Sequence, residues 1–133
     1  MRIAITGGRD YGPSRADIET FWRLWRELAG EEDVELHHGD ARGVDRYMAA
    51  VVRRERPGVR IVPHPANWDL YGKGAGFIRN QEMVGQVDFL IAFPGGNGTA
   101  HCVRTARSLG LTVKEIALEF PDPDATPPWE TSP

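Results

Sequence analysis

Short apolar runs that stop at glycine clusters are the feature that most restricts the fold of this chain. Each run is followed by a segment with helical periodicity. Met1–Thr6 before Gly7-Gly8 and Val87–Phe93 before Pro94-Gly95-Gly96 are largely apolar, and Val34–His38 before Gly39 is read as a further strand. Largely apolar runs of this length are typical of parallel strands buried on both faces. Their alternation with helices predicts right-handed crossovers, and therefore an α/β, Rossmann-like three-layer fold with a five-stranded parallel sheet.

The other predicted elements complete this alternation. The two remaining strands are Val59–Pro63 and Thr112–Ala117. Helices are predicted from Ser14, in a capping box with Asp17, to Gly30, from Val44 to Pro57, over Phe77–Gln86 and over Thr99–Leu109. The segment His64–Gly76 has no clear periodicity and contains three glycines. We expect a long loop there, and loops of this length inside a domain are usually functional.

Composition bounds the class of protein. A chain of 133 residues with 41% hydrophobic and 26% charged residues is typical of one soluble globular domain. We expect this domain over residues 1–119 and a disordered, proline- and acid-rich tail over residues 120–133. No apolar stretch reaches the ~20 residues of a membrane helix, so we expect a cytoplasmic protein without membrane contact. The single cysteine, Cys102, excludes an internal disulfide, and the net charge of −3 argues against nucleic acid as a partner.

The glycine clusters predict where a ligand would bind. Ligands of open parallel sheets lie beyond the carboxyl ends of the strands, where the strand order reverses. The clusters after the first, second and fourth strands fall at that edge. The loop Pro94–Thr99 is the sharpest signal, because its three glycines allow close backbone approach and the following helix directs its first amides at an anion. Thr99 adds a hydroxyl donor; a glycine-rich turn without a ligand is the alternative.

Residues around this loop resemble a known superfamily. Phe77–Met83, the strand after it and the loop Pro94–Thr99 resemble the Lonely Guy and DNA-processing protein A (SLOG) superfamily. In Lonely Guy enzymes an Arg-Lys-x-x-Met stretch precedes a strand and a Pro-Gly-Gly-x-Gly-Thr loop. Arg79 and Met83 match the first motif, with Asn80 in place of the lysine, and the second motif matches in full.

Further motifs narrow the resemblance. Gly7–Tyr11, His38–Asp45 and Tyr71–Lys73 look more specifically like the YspA-like branch, a small family common in bacteria and phages. The resemblance spans roughly residues 1–117 and implies a nucleotide-ligand-binding domain that forms dimers.

One departure from the Lonely Guy pattern concerns catalysis. These enzymes carry a glutamate pair just after the Gly-Thr, and one glutamate works with the arginine in cleaving the N-glycosidic bond of a nucleotide. This chain has Ala100-His101-Cys102 there. An imidazole or thiol does not replace the charge of that carboxylate, so we expect weak or absent hydrolysis. If the protein is an enzyme, the catalytic candidates are Arg79, Asp45 and Glu82.

Several polar residues at the predicted edge have two interpretations each. Asp40 either accepts from ribose hydroxyls or caps the second helix. Asp45 either contacts the ligand or forms an internal salt bridge, and Arg9 and Asp10 either face a phosphate or base or form a surface ion pair. The candidate ligand-binding residues are Gly7, Gly8, Arg9, Asp10, Gly39, Asp40, Arg42, Gly43, Asp45, Lys73, Arg79, Asn80, Pro94, Gly95, Gly96, Asn97, Gly98 and Thr99.

The long loop and the histidines leave similar choices. Trp68 and Tyr71 either stack on a base or, as we favour, anchor the loop against the core, while Lys73 reaches a phosphate. Arg79 either offers its guanidinium to a phosphate or lies on a solvated helix face. The adjacent His37 and His38 point to opposite faces of a strand, so no metal site is expected, and no cofactor. Cys102 lies at core spacing and is expected to be a buried small side chain.

The leading functional hypothesis is binding of a small phosphorylated nucleotide-derived ligand, by a sensor or sequestering protein. A nucleotide N-glycosidic-bond hydrolase and a single-stranded DNA-binding protein are the alternatives. A homodimer or higher homo-oligomer is expected, because Trp22, Leu24 and Trp25 make the first helix apolar over more than one face.

Overall fold

The computed structural model describes residues 1–116, which form five strands and five α-helices. The strands are β1 (Arg2–Thr6), β2 (Glu35–His38), β3 (Arg60–Pro63), β4 (Phe89–Ala92) and β5 (Thr112–Glu115). The helices are α1 (Arg15–Ala29), α2 (Val44–Glu55), α3 (Trp68–Tyr71), α4 (Ala75–Val84) and α5 (Asn97–Ser108), with a 3-10 turn, Gly72–Gly74, between α3 and α4.

All strands pair in parallel, in the order β3-β2-β1-β4-β5. The α/β class and the five-stranded parallel sheet predicted from the sequence are therefore confirmed. The chain runs outward from β1 to β3, then returns to place β4 on the other side of β1. The strand order thus reverses between β1 and β4, at the middle of the sheet.

The sheet divides the core into two apolar clusters, because successive side chains of a strand point to opposite faces. Ile3 and Ile5 of β1 pack with residues of α1 and α2, whereas Ala4 packs with residues of α4 and α5. Helices thus cover both faces of the sheet, which is the predicted three-layer arrangement. Burial on both faces explains why the central strands β1 and β4 are largely apolar.

Helix α1 begins at the predicted capping box and packs its large side chains inside the chain. Ser14 accepts from the Asp17 amide at 3.1 Å, and the Asp17 carboxylate accepts from the Ser14 amide at 2.9 Å. Trp22, Leu24 and Trp25 are only 9%, 8% and 6% exposed. The apolar surface from which self-association was expected is therefore part of the core, and the oligomeric state stays a prediction that this helix does not support.

The structure differs from the predicted elements mainly between strands β3 and β4. The expected loop over residues 64–76 contains α3, which Asn67 caps by accepting from the Leu70 amide at 3.0 Å. A helix of four residues is too short to show periodicity, so the sequence pattern missed it. Helix α4 begins two residues earlier than predicted, and so does α5, which begins at Asn97. Residue 117 and the predicted tail over 120–133 lie outside the described residues.

Candidate functional site

A cleft of about 310 Å³ lies at the carboxyl ends of β1 and β4, where the strand order reverses. Open parallel sheets bind ligands at this position. Its walls come from the loops after β1 and β2, from α4 and from the first turn of α5. The lining residues are Thr6, Gly7, Gly8, Arg9, Asp10, Ala41, Asp45, Arg79, Asn80, Gly96, Asn97, Gly98 and Thr99.

The loops after β1 and β4 are packed against each other through backbone contacts. The Gly8 amide donates to the Pro94 carbonyl at 2.9 Å. A Cβ atom at Gly95 would overlap Thr99 Oγ1 and lie 2.7 Å from the Gly8 nitrogen. Gly43, with φ of 83°, lies against the carbonyls of Gly8 and Arg9 in the same way. The lining of the cleft therefore does not include Pro94, Gly95 or Gly43, which instead pack the loops against each other.

The first turn of α5 presents its amides to the cleft. The N-cap residue Gly96 has no side chain to cap the helix, and the first intrahelical bond runs from the Ala100 amide to the Gly96 carbonyl at 3.0 Å. Within residues 1–116, no side chain caps the amides of Asn97 and Gly98. Such free amides, together with the helix dipole, favour an anion.

Arg79 projects from α4 between the loops and is half-buried. Its guanidinium donates to the carbonyl of Gly39, to that of His64 at 3.5 Å and, through Nε, to Asn80 Oδ1 at 3.0 Å. A Cβ atom at Gly39 would lie 2.5 Å from Arg79 Nη1, so a side chain there would displace the guanidinium from its present position. The interpretation of Arg79 as a residue of a solvated helix face is wrong, because its guanidinium is packed into the cleft wall.

Asn80 connects this arginine to the anion-facing helix. The side chain is 5% exposed. Its Nδ2 donates to the Gly98 carbonyl at 3.2 Å and lies 3.3 Å from His101 Nδ1. Asn80 thus ties α4 to α5.

Arg9 and Arg79 are cleft arginines without a carboxylate partner. In the part of the chain that the structure describes, no ion pair includes either of them. Arg9 lies over the Trp68 ring, 5.6 Å from its centroid. Asp10, by contrast, forms an ion pair with Arg42 at 3.2 Å, and both side chains are exposed. This agrees with the interpretation of Asp10 as a member of a surface ion pair. Two positive charges in one cleft therefore lack a neutralising carboxylate contact.

Asp45 is a buried carboxylate at the base of the cleft, 5% exposed. Oδ2 accepts from the amides of Gly39 at 3.1 Å and Ala41 at 3.3 Å. Oδ1 is buried and has no hydrogen-bond partner within the described residues. Burial raises the pKa of Asp45 to about 6, although both amides and the charge of Arg79 act in the opposite direction. A buried acceptor without a partner is costly, so this oxygen is suited to a hydrogen-bond donor on a ligand.

Other candidates lie away from the cleft. Asp40, in the left-handed region with φ of 54°, pairs with Arg46 at 3.2 Å and does not cap α2. The capping interpretation of Asp40 is therefore wrong, since α2 begins after Gly43. Lys73 is exposed on the 3-10 turn, and Glu82 is exposed on α4. Neither they nor Arg42 line the cleft.

Sequence reasoning missed two lining residues, Thr6 and Ala41. Thr6 is the last residue of β1, and the end of a strand beside a glycine cluster is a signal that could have identified it. Ala41 has no functional group in its side chain, and its backbone amide donates to Asp45 Oδ2 at 3.3 Å. Nothing in the sequence pattern marks such a position.

The remaining chemically active side chains are engaged elsewhere. His37 lies 2.8 Å from Glu35 Oε1 and 2.7 Å from His64 Nε2, and His38 accepts from the Asp40 amide at 2.9 Å. Among residues 1–116, no group of three or more His, Cys, Asp or Glu side chains is arranged to hold a metal ion. Cys102 is fully buried, as predicted, and burial raises its pKa to about 11, which keeps the thiol protonated.

The fold and site define a parallel α/β protein with a glycine-loop cleft at the switch point of its sheet. The chain is 38% identical to the Gene 61 protein of Mycobacterium phage D29 over 129 residues, which cover 84% of this chain and 93% of the phage protein. It belongs to the family of that phage protein. No protein-family model matches the chain. None of the helices in residues 1–116 is long and apolar enough to cross a membrane.

Proposed function

We propose that the cleft binds a small phosphorylated nucleotide-derived ligand, such as a nucleoside monophosphate or an ADP-ribose-like molecule, and that the protein acts as a sensor or sequestering protein. The observation that carries this proposal is that one cleft combines groups that favour an anion with a carboxylate oxygen that lacks a hydrogen-bond donor. Uncapped amides of α5 and two arginines without carboxylate partners favour an anion, while Asp45 Oδ1 requires a donor. A phosphate joined to a hydroxyl-bearing sugar supplies both.

The electrostatics of the cleft support a phosphate on the α5 side. Arg79 is oriented by Asn80 and by backbone carbonyls, so it loses little side-chain freedom when it binds an anion. Arg9 is exposed and brings a second positive charge to the same opening. The resemblance to the SLOG superfamily, in its YspA-like branch, supports the same ligand class through the Pro-Gly-Gly-x-Gly-Thr loop.

The sugar side of the ligand belongs at Asp45. At neutral pH its carboxylate is mostly ionised, because its pKa of about 6 lies below 7. An ionised carboxylate accepts from a ribose hydroxyl, and a charge-assisted hydrogen bond of this kind is stronger than a neutral one. The buried Oδ1 would then gain the partner that it lacks.

Thermal unfolding with a panel of nucleotides tests this proposal, because a ligand that binds only the native state raises the melting temperature. We expect AMP or ADP-ribose to raise it for the wild type and not for Arg79→Gln. Arg104→Gln is the matched control, since Arg104 is exposed on α5 outside the cleft, and it should respond as the wild type does. If no phosphorylated nucleotide shifts the wild type at millimolar concentration, the proposal is wrong.

A second candidate is a hydrolase of the N-glycosidic bond of a nucleotide, and one observation favours it. Asp45 is a carboxylate that lines the cleft with a raised pKa, a combination found at catalytic sites. It would stabilise the positive charge that develops on the ribose. Glu82, the other carboxylate candidate, is exposed on α4 and does not line the cleft. Release of free base from nucleoside monophosphates distinguishes this activity from binding alone.

A further inference from the structure

Trp68 stands at the rim of the cleft on the four-residue helix α3. The guanidinium carbon of Arg9, which lines the cleft, lies 5.6 Å from the centroid of its ring. A Cβ atom built on Gly76 would lie 3.6 Å from Trp68 Cη2 and 3.8 Å from Arg79 Nη2. The indole edge and the Arg79 guanidinium therefore share Gly76 as a neighbour, so the ring borders the cationic part of the cleft.

The exposure of this ring has no explanation in the packing of the chain. Trp68 is 48% exposed, whereas Trp22 and Trp25 are buried in the core. The expectation that Trp68 and Tyr71 anchor the loop against the core is therefore wrong. Trp68 belongs to neither apolar core cluster, and α3 is capped by Asn67. A large aromatic surface is thus held beside a cleft that already offers an anion site and a hydroxyl acceptor.

We propose that Trp68 recognises the base of the ligand by stacking, and so makes the site selective for nucleotides over sugar phosphates. This inference rests on the proposed function and adds a specificity-determining residue to it. A base is planar and stacks on an aromatic ring whatever its hydrogen-bonding edge. The planar guanidinium of Arg9 already lies over the ring, which shows that a flat cationic group approaches it there.

The Arg9 guanidinium is able to leave the Trp68 ring when a base binds there. Its side chain is long and exposed, and it has no carboxylate partner in residues 1–116 that would hold it in place. The guanidinium can cover the stacked base or turn to the phosphate, and either movement keeps its charge at the cleft. Arg9 and Trp68 thus form one recognition element across the rim.

Calorimetric titration of the full chain with AMP and with ribose 5-phosphate tests this role, because the two ligands differ only by the base. The wild type should bind AMP more tightly, and Trp68→Ala should weaken AMP binding about 5- to 150-fold while leaving ribose 5-phosphate unchanged. Trp68→Phe retains an aromatic ring and should lose less than Trp68→Ala. Tyr71→Ala is the matched control: Tyr71 is 45% exposed on the same short helix, and its removal should change neither affinity.

Each outcome decides between the two proposals. If the wild type binds AMP and ribose 5-phosphate equally and Trp68→Ala alters neither, the stacking role is wrong while phosphate and sugar binding stand. The stacking role is also wrong if Trp68→Ala weakens both ligands equally, since the ring then only supports the loop. If the wild type binds neither ligand, the stacking role falls together with the proposed function.

Discussion

The side-chain amide of Asn80 donates to the backbone carbonyl of Gly98 at 3.2 Å, which ties helix α4 to the first turn of α5. The oxygen of the same amide accepts from Arg79 Nε at 3.0 Å. One buried side chain therefore sets the position of the cleft arginine relative to the amides that face it. Asn80 is a positioning residue for an anion site built from two separate elements.

Replacement of Asn80 should uncouple these two parts. We expect Asn80→Ala to lower the free energy of unfolding by about 1–3 kcal/mol, because it leaves buried polar groups without partners. It should also weaken AMP binding, since Arg79 loses its orientation. Chemical denaturation and calorimetric titration measure the two effects. Gln81→Ala, at the exposed neighbouring position, is the control and should change neither; equal effects from both variants would contradict the positioning role.

The two adjacent glycines of the loop should respond differently to substitution. A Cβ atom at Gly95 overlaps Thr99 and the Gly8 backbone, so Gly95→Ala should destabilise the fold by about 1–3 kcal/mol. A Cβ atom at Gly96 meets no atom within 4 Å, so Gly96→Ala should cost no more than about 1 kcal/mol. Urea unfolding of the two variants checks this difference, and equal stabilities would mean that the loop packs otherwise.

A bulky residue at Gly96 should block the ligand while the fold persists. Gly96 lines the cleft and directly precedes α5, so a leucine side chain there would stand before the helix amides. We expect Gly96→Leu to reduce AMP affinity by more than about 10-fold, or at least 1.4 kcal/mol, with an unchanged far-UV circular dichroism spectrum. Unaltered affinity would show that these glycines only form a turn.

Asp45 should make the stability of the protein depend on pH. Burial raises its pKa from the ordinary value of 3.8 to about 6, so the folded state binds the proton more tightly than the unfolded state. Its ionisation therefore destabilises the fold as pH rises from about 4 through 6, by about 3 kcal/mol in all. His38 acts in the opposite direction over a similar range, because burial lowers its pKa to about 4.

Comparison with Asp45→Asn isolates the aspartate from His38. Asparagine keeps an oxygen for the amides of Gly39 and Ala41 and carries no charge. The stability of this variant relative to wild type should therefore increase between pH 4 and pH 7, measured by denaturant titration at each pH. A constant difference between the two proteins across this range would contradict the raised pKa of Asp45.

Hydrolysis of AMP should be weak or absent. The resemblance to Lonely Guy enzymes implies that His101 or Cys102 stands where those enzymes carry a glutamate, and loss of a well-placed electrostatic group typically costs about 10²- to 10³-fold in rate. Chromatographic detection of free adenine measures this activity. Turnover at ~1 s⁻¹ or faster would contradict the expectation. Asp45→Asn should then abolish the activity and Glu82→Gln should not, because only Asp45 lines the cleft.

Local pattern was sufficient to predict the architecture of this protein. Apolar runs such as Val87–Phe93 correspond to buried strands because burial on both faces leaves no room for alternation. The capping box at Ser14 and the glycine loop after β4 were also predicted from the sequence, since each depends on residues only a few positions apart. Helix α3 was missed because a helix of one turn, capped by Asn67, shows no period.

The composition of the site could be predicted only in part. The lining glycines and Arg79 were identified from motifs, but as catalytic candidates the sequence did not separate Asp45, which lines the cleft, from Glu82, which does not. Both are carboxylates of predicted helices, and their difference lies in burial, because Asp45 is buried and Glu82 is exposed. The sequence favoured Trp68 as an anchor of the loop against the core and left stacking on a base as the alternative, because hydrophobic character alone does not tell a core residue from one at a rim.

The sequence by itself determined the succession of strands and helices along the chain and the loops that require glycine. These features depend on contacts between residues that are close along the chain. The tertiary structure alone decided which residues share the cleft. Ile3 pairs with Phe89 across the centre of the sheet, and that pairing of β1 with β4 brings Asp45, Arg79 and the start of α5 to one edge. Such a juxtaposition depends on packing between segments that are distant along the chain. The same packing buries Asp45, which raises the pKa of its carboxyl and leaves its Oδ1 without a hydrogen-bond partner among the described residues.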